Sequence, residues 1–154
     1  MAEIIGVVSG VLTLAGVAGK AGASVLTLKR LWDEVKDVPD SINFLMMQLE
    51  HLDPVLQDME NEFSQVRAAI QNDSRTNLSQ QYARQAVQDL EGLVNDLQQQ
   101  LSSKKGMKGN IAKFKVTLKK DLVRSYQERL QHALQLVSLS QQTHLMYALI
   151  RRAN

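Results

Sequence analysis

The chain has 154 residues, a net charge of +2, two prolines and no cysteine, with 44% hydrophobic but only 5% aromatic residues. That length amounts to one domain with room for a real core, and the missing cysteines exclude disulfides, thiolate metal sites and a Cys nucleophile, which suits a cytosolic protein. Scarce aromatics and long Leu/Gln/Glu/Lys-rich stretches favour helix over sheet, so the expected class is all-α: a single bundle over residues 1–154 with four long helices and one short one.

The first predicted helix runs from about Ala2 to Lys36. Ile4 to Gly19 carries no charge, and the stretch through Gly22 holds five of the eight glycines: Gly6, Gly10, Gly16, Gly19 and Gly22. Each Gly costs a helix roughly 1 kcal/mol relative to Ala, so close helix packing or lipid must account for them. Sixteen helical residues reach about 24 Å, short of the roughly 30 Å of a hydrocarbon core. The only charge before the run is Glu3, which does not fit a secretory signal. A constitutive span is therefore not expected, whereas insertion on demand is, with Ile4, Ile5, Val7, Val8, Val11, Leu12, Leu14 and Val17 as the inserting side chains. Gly6, Ser9, Gly10, Thr13 and Gly16 form a small-residue ridge suited to helix association. A glycine-softened joint is expected at Gly19 to Gly22, and from Lys29 the pattern turns amphipathic, with Leu31, Trp32 and Val35 inward.

Val38-Pro39-Asp40-Ser41 ends that helix and caps the next. The second helix carries Ile42, Leu45, Leu49, Leu52, Leu56, Met59, Phe63, Val66 and Ile70 in a three-four alternation, a coiled-coil-like seam that keeps its phase across Pro54 and so reads as one kinked helix. Asn72 to Arg75 is the turn. A third helix over about Asn77 to Leu101 places Leu90 and Leu97 inward. Residues 103–109 follow as a basic flexible loop, Ile111 to Lys119 as the short helix, and Asp121 to Arg152 as the last long helix, with Leu130 and Leu134 in the core.

Charge is segregated along the chain. Asp37 to Glu62 holds seven carboxylates and no Lys or Arg, while Lys104 to Arg124 holds eight basic residues against Asp121 alone. The basic block either faces acids of the same fold or meets an anionic surface, with Lys104, Lys105, Lys108, Lys113 and Lys115 as lipid contacts worth about 1 kcal/mol each near a membrane. Only Phe114 and Tyr126 interleave with it and no nucleic-acid motif is present, so nucleic acid is not an expected partner.

No active site is legible. Gly16-Val17-Ala18-Gly19-Lys20-Ala21 half resembles a Walker A loop, yet Leu14 stands where its first glycine belongs and Ala21 where Ser or Thr must reach magnesium. His51, His132 and His144 have no partner histidine at helical spacing. Ser9, Ser24, Ser138 and Ser140 lack a nucleophile elbow, and Asp53, Asp58, Glu60 and Glu62 read as a solvated face. No cofactor or metal is expected, and the chain does not read as an enzyme.

Three stretches resemble a known family: the opening MAEIIGVVSGVLTLAGVAGKAG, the joint KDVPDSINFLMMQLEHLDPVL, and the late KFKVTLKKDLVRSYQERLQHALQLVSLSQQ. Together they resemble the HeLo-like N-terminal domains of fungal NOD-like (STAND) receptors, helical bundles similar to the HeLo domain of the HET-S toxin and to the four-helix bundle of mixed lineage kinase domain-like protein. The resemblance implies an executioner of programmed cell death in fungal immunity or heterokaryon incompatibility. It implies a sensor, linked covalently or homotypically, that drives homo-oligomerisation and moves the domain from cytoplasm to plasma membrane. The family's membrane-targeting first helix corresponds to residues 1–28. Relatives also act as non-lytic adaptors through helix pairing, and a plain buried core helix is the third reading of the N-terminal run.

Overall fold

The structure, a computed structural model, describes residues 16–66, 74–106 and 115–153. Four helices account for nearly all of it: α1 (Val17–Trp32), α2 (Asp40–Val66), α3 (Ser74–Gly106) and α4 (Lys120–Ala153). They run up, down, up and down. The end carrying Val17, Val66, Ser74 and Ala153 is here the foot, and the end carrying Trp32, Asp40, Gly106 and Lys120 the head.

Each helix buries the stripe its apolar periodicity defines. α1 packs on α2 and α3, and α4 packs on the same two, so α1 and α4 face each other across the core. At the head, Val25, Leu28, Leu31 and Trp32 of α1 meet Ile42, Leu45, Met46 and Leu49 of α2, Leu90, Leu93, Leu97 and Leu101 of α3, and Tyr126, Leu130 and Ala133 of α4. The Trp32 and Tyr126 rings meet edge to face, centroids 6.0 Å apart, a favoured aromatic geometry. Nearer the foot a second cluster gathers smaller groups: Ala18 and Ala21, Leu56 and Met59, Ala86 and Val87, and Leu136 and Val137. Of the expected core leucines, Leu45, Leu49, Leu56, Leu90, Leu97 and Leu130 are buried, while Leu52 and Leu134 are half-buried against these clusters.

Polar contacts set the register of α3 against α4. Asp96 accepts from Arg129 at 2.6 Å, Asp89 lies 3.6 Å from His132, and Ser79 and Ser140 interlock. Each of these two serine hydroxyls donates to the other residue's carbonyl at 2.7 Å, fully out of solvent.

Several boundaries differ from the sequence reading. α1 ends at Trp32 rather than Lys36. The chain turns through Asp33 to Pro39, with Asp37 at φ 56°, a left-handed conformation that Asp adopts more readily than most residues. The expected joint at Gly19 to Gly22 is continuous helix, whereas α2 does run through Pro54 as one helix, as its unbroken seam indicates. α3 extends to Gly106, so residues 103–106 of the expected loop are helical, with Lys104 and Lys105 at the C-terminal end where cations favour the helix dipole. Residues 107–109 lie outside the described residues. The short helix through Lys119 is absent over residues 115–119, which are extended. Val116 instead forms a parallel bridge with Val35, its N–H reaching the Glu34 carbonyl and its carbonyl taking the Lys36 N–H, both at 2.8 Å.

Candidate functional site

The inserting and small-residue positions Ile4, Ile5, Gly6, Val7, Val8, Gly10, Val11, Leu12 and Leu14 lie outside the described residues. What the structure describes is the platform they join. Gly16 is buried and Val17 half-buried against the foot cluster. Gly16 offers no side-chain cap to α1, so one of the helix's orphan amides must find an acceptor elsewhere. Glu60 of α2 supplies it, its Oε1 accepting from the Ala18 N–H at 2.9 Å.

Further along the same seam, Gly22 lies against Asp53. A Cβ at that position would sit 2.7 Å from Asp53 Oδ1, so a larger residue there would force the Asp53 carboxylate or the helix to shift. That Oδ1 is buried without a hydrogen-bond partner among the described residues. Gly19, by contrast, faces open space. Toward the head, Lys29 pairs with Glu50 at 3.0 Å. Glu50, Asp53 and Glu60 thus line one side of α2 against α1, at positions one residue beyond the leucine seam. The reading of Asp53 and Glu60 as a solvated face is corrected here. Their three-and-seven spacing beside the seam, the flank where paired coiled coils carry charges, was the available signal.

From Ala21 onward α1 is a core helix. Val25 and Leu28, expected within the membrane-targeting part, are buried in the core, Leu28 completely. Among the described residues no helix is long and apolar enough to cross a membrane.

The basic block divides at the head. Lys105 is bonded to Glu34, and Lys104 donates to the Thr117 carbonyl at 2.6 Å, so both fasten α3 to the neighbouring turns. Lys115, Lys119, Lys120 and Arg124 are exposed, whereas Lys108 and Lys113 lie outside the described residues. Beneath them, burial and the nearby Asp96 push the Tyr126 phenol above its usual value, Arg129 acting in the opposite sense.

At the foot, α2 and α4 diverge around an open groove of about 220 Å³ lined by Val55, Met59, His144, Leu145, Ala148 and Leu149, with Asp58, Gln141 and Arg152 at its margins. Leu145, Met146, Leu149 and Ile150 form an exposed apolar ridge on the last turns of α4, and Leu149 is 66% exposed. Of the other histidines, His51 is exposed with a ring nitrogen 2.8 Å from the Met47 carbonyl. No group of three His, Cys, Asp or Glu side chains that could hold a metal occurs among the described residues.

No protein-family model, curated protein or solved structure matches the chain.

Proposed function

We propose that the chain is a membrane-targeting execution domain whose N-terminal segment permeabilises membranes after oligomerisation, as its resemblance to HeLo-like domains implies. The observation that carries this reading is the uncharged run from Ile4 to Gly19, joined to the bundle through a first turn of small residues. As helix the whole run reaches about 24 Å and its residues 4–15 about 18 Å, enough to lodge in one leaflet but not to cross a roughly 30 Å hydrocarbon core unaided.

The bundle limits how far insertion extends along α1. Pulling Val25, Leu28, Leu31 and Trp32 out of the head cluster forfeits about 1.5–3 kcal/mol each, a sum comparable with the whole stability of a domain. Insertion therefore uses residues 4–15 and pivots near Gly16 and Val17, and α1 from Val25 stays in the bundle. Anionic lipid meets the exposed Lys115, Lys119, Lys120 and Arg124 more readily than Lys104 and Lys105, which the fold already uses.

Dye release from anionic vesicles tests this. The whole chain releases dye; deletion of residues 1–15, or the pair Gly10→Glu and Gly16→Glu, abolishes release. Undiminished release from either variant would refute the reading.

A second reading is a non-lytic adaptor assembling through helix pairing, and the exposed Leu26, Phe44 and Met47 on α1 and α2 favour it. It requires soluble oligomers that leave vesicles intact.

A further inference from the structure

We propose that the groove between α2 and α4 at the foot is the docking site of the chain's own residues 4–15, which lie along it before any membrane is met. This deepens the proposed function by giving the inserting segment a resting place, and it rests on that reading only for its consequence, not for the contact itself.

Three observations commit the groove to this occupant. First, the chain leaves the bundle beside it: the Ala18 amide is held by Glu60, the neighbouring Met59 lines the groove, and Val17 packs on the cluster that contains Met59 and against which Val55 also packs.

Second, the lengths agree. The α4 wall runs from Gln141 to Arg152, about 17 Å of helix, and the twelve residues 4–15 wound as helix reach about 18 Å. Third, the chemistry agrees. Ile5, Val8 and Leu12 recur at helical spacing without a charge among them, and the wall they would meet is Leu145, Ala148 and Leu149, with Val55 and Met59 opposite. Leu145 and Leu149 are 52% and 66% exposed, an apolar ridge that gains by being covered. A segment running back from Val17 toward the foot lies antiparallel to α4, which sets Leu12 near Leu145 and Val8 near Leu149.

The absence of cysteine from the whole chain makes the contact directly testable. A disulfide requires Cα atoms within about 7 Å. The pairs Leu12→Cys with Leu145→Cys, and Val8→Cys with Leu149→Cys, are oxidised at low protein concentration. They are compared with Leu12→Cys and Met47→Cys, Met47 being exposed near the head. The α4 and α2 positions are all solvent-exposed, so the substitutions leave the bundle core untouched.

The expected result is an intrachain disulfide in most molecules of the first two pairs and in few of the control. A predominantly interchain disulfide would overturn the proposal by identifying a second copy as the occupant. Formation no greater than in the control would overturn it as well. Dye release by the oxidised and reduced forms then separates the two ideas. Release restored on reduction supports both, whereas an intrachain bond with no release in either form leaves the docking standing and removes the membrane function.

Discussion

The head and foot of this bundle are built from different side chains, and α1 passes through both. At the head it contributes Val25, Leu28, Leu31 and Trp32 to a cluster of leucines and an edge-to-face aromatic pair. At the foot it contributes Ala18 and Ala21, with Val17 at the edge. A buried methyl is worth about 0.8 kcal/mol and a large apolar side chain about 1.5–3 kcal/mol. One helix is thus clamped at its C-terminal half and lightly held at its N-terminal half. Small residues bring α1 close to α2 without tying it down, which suits a segment that must change partners while its anchor stays put.

The largest expected effect breaks the clamp. Leu28 is fully buried, and Leu28→Ala should cost about 2–5 kcal/mol in urea denaturation, whereas Ala21→Gly at the foot should cost about 1 kcal/mol. Equal losses would mean that α1 is held uniformly and that the contrast is mistaken. The head also has a pH signature. The raised pKa of Tyr126 means the folded state keeps the phenol proton longer than the unfolded chain does. Its contribution is therefore complete below the ordinary tyrosine value and is lost as pH rises through the folded value. Stability should fall on the alkaline side of that ordinary value, and Tyr126→Phe should flatten the fall.

A smaller effect is expected where α3 and α4 supply the foot with its own rigidity. Replacing Ser140 by Ala removes one of two reciprocal hydroxyl bonds and leaves Ser79 facing an apolar neighbour, at a cost of about 1–3 kcal/mol. Because these bonds join α3 to α4 rather than to α1, hydrogen exchange in the first turns of α1 should change little. Glu60→Ala should do the reverse. It removes the acceptor of the Ala18 amide, costs about 0.5–2 kcal/mol as a lost cap, and speeds exchange at Ala18 to Ala21 more than at Val25 to Leu31.

The head was more legible in the sequence than the foot, because large apolar residues at helical spacing announce their own burial. The seam from Ile42 to Met59, Leu90 with Leu97, and Leu130 all carry that period. The extended segment at Val116 carried a signal too. Phe114, Val116 and Leu118 alternate with Lys113, Lys115, Thr117 and Lys119, a period of two that belongs to extended chain rather than to the short helix inferred from the same residues. The foot depends on contacts that apolar periodicity does not announce: a glycine against one carboxylate and a second carboxylate, one heptad on, that caps α1. Asp53 and Glu60 look like ordinary surface charges until the helices are brought together.

The finest test of the contrast uses two glycines one turn apart in α1. Gly19 faces open space, so Gly19→Ala gains helix propensity and stiffens the unfolded chain, which should stabilise the protein by about 0.4–1 kcal/mol. The same substitution at Gly22 has the same intrinsic gain, but its Cβ would stand 2.7 Å from Asp53 Oδ1, so the carboxylate or the helix must move. The gain should vanish or change sign. If close approach to Asp53 is the cause, Asp53→Ala in the Gly22→Ala background should restore what is lost, and the double-mutant cycle should show a coupling that Gly19→Ala with Asp53→Ala does not. Additive behaviour in both cycles would mean that Gly22 is no more special than Gly19. The glycines of α1 would then have no packing role at the foot.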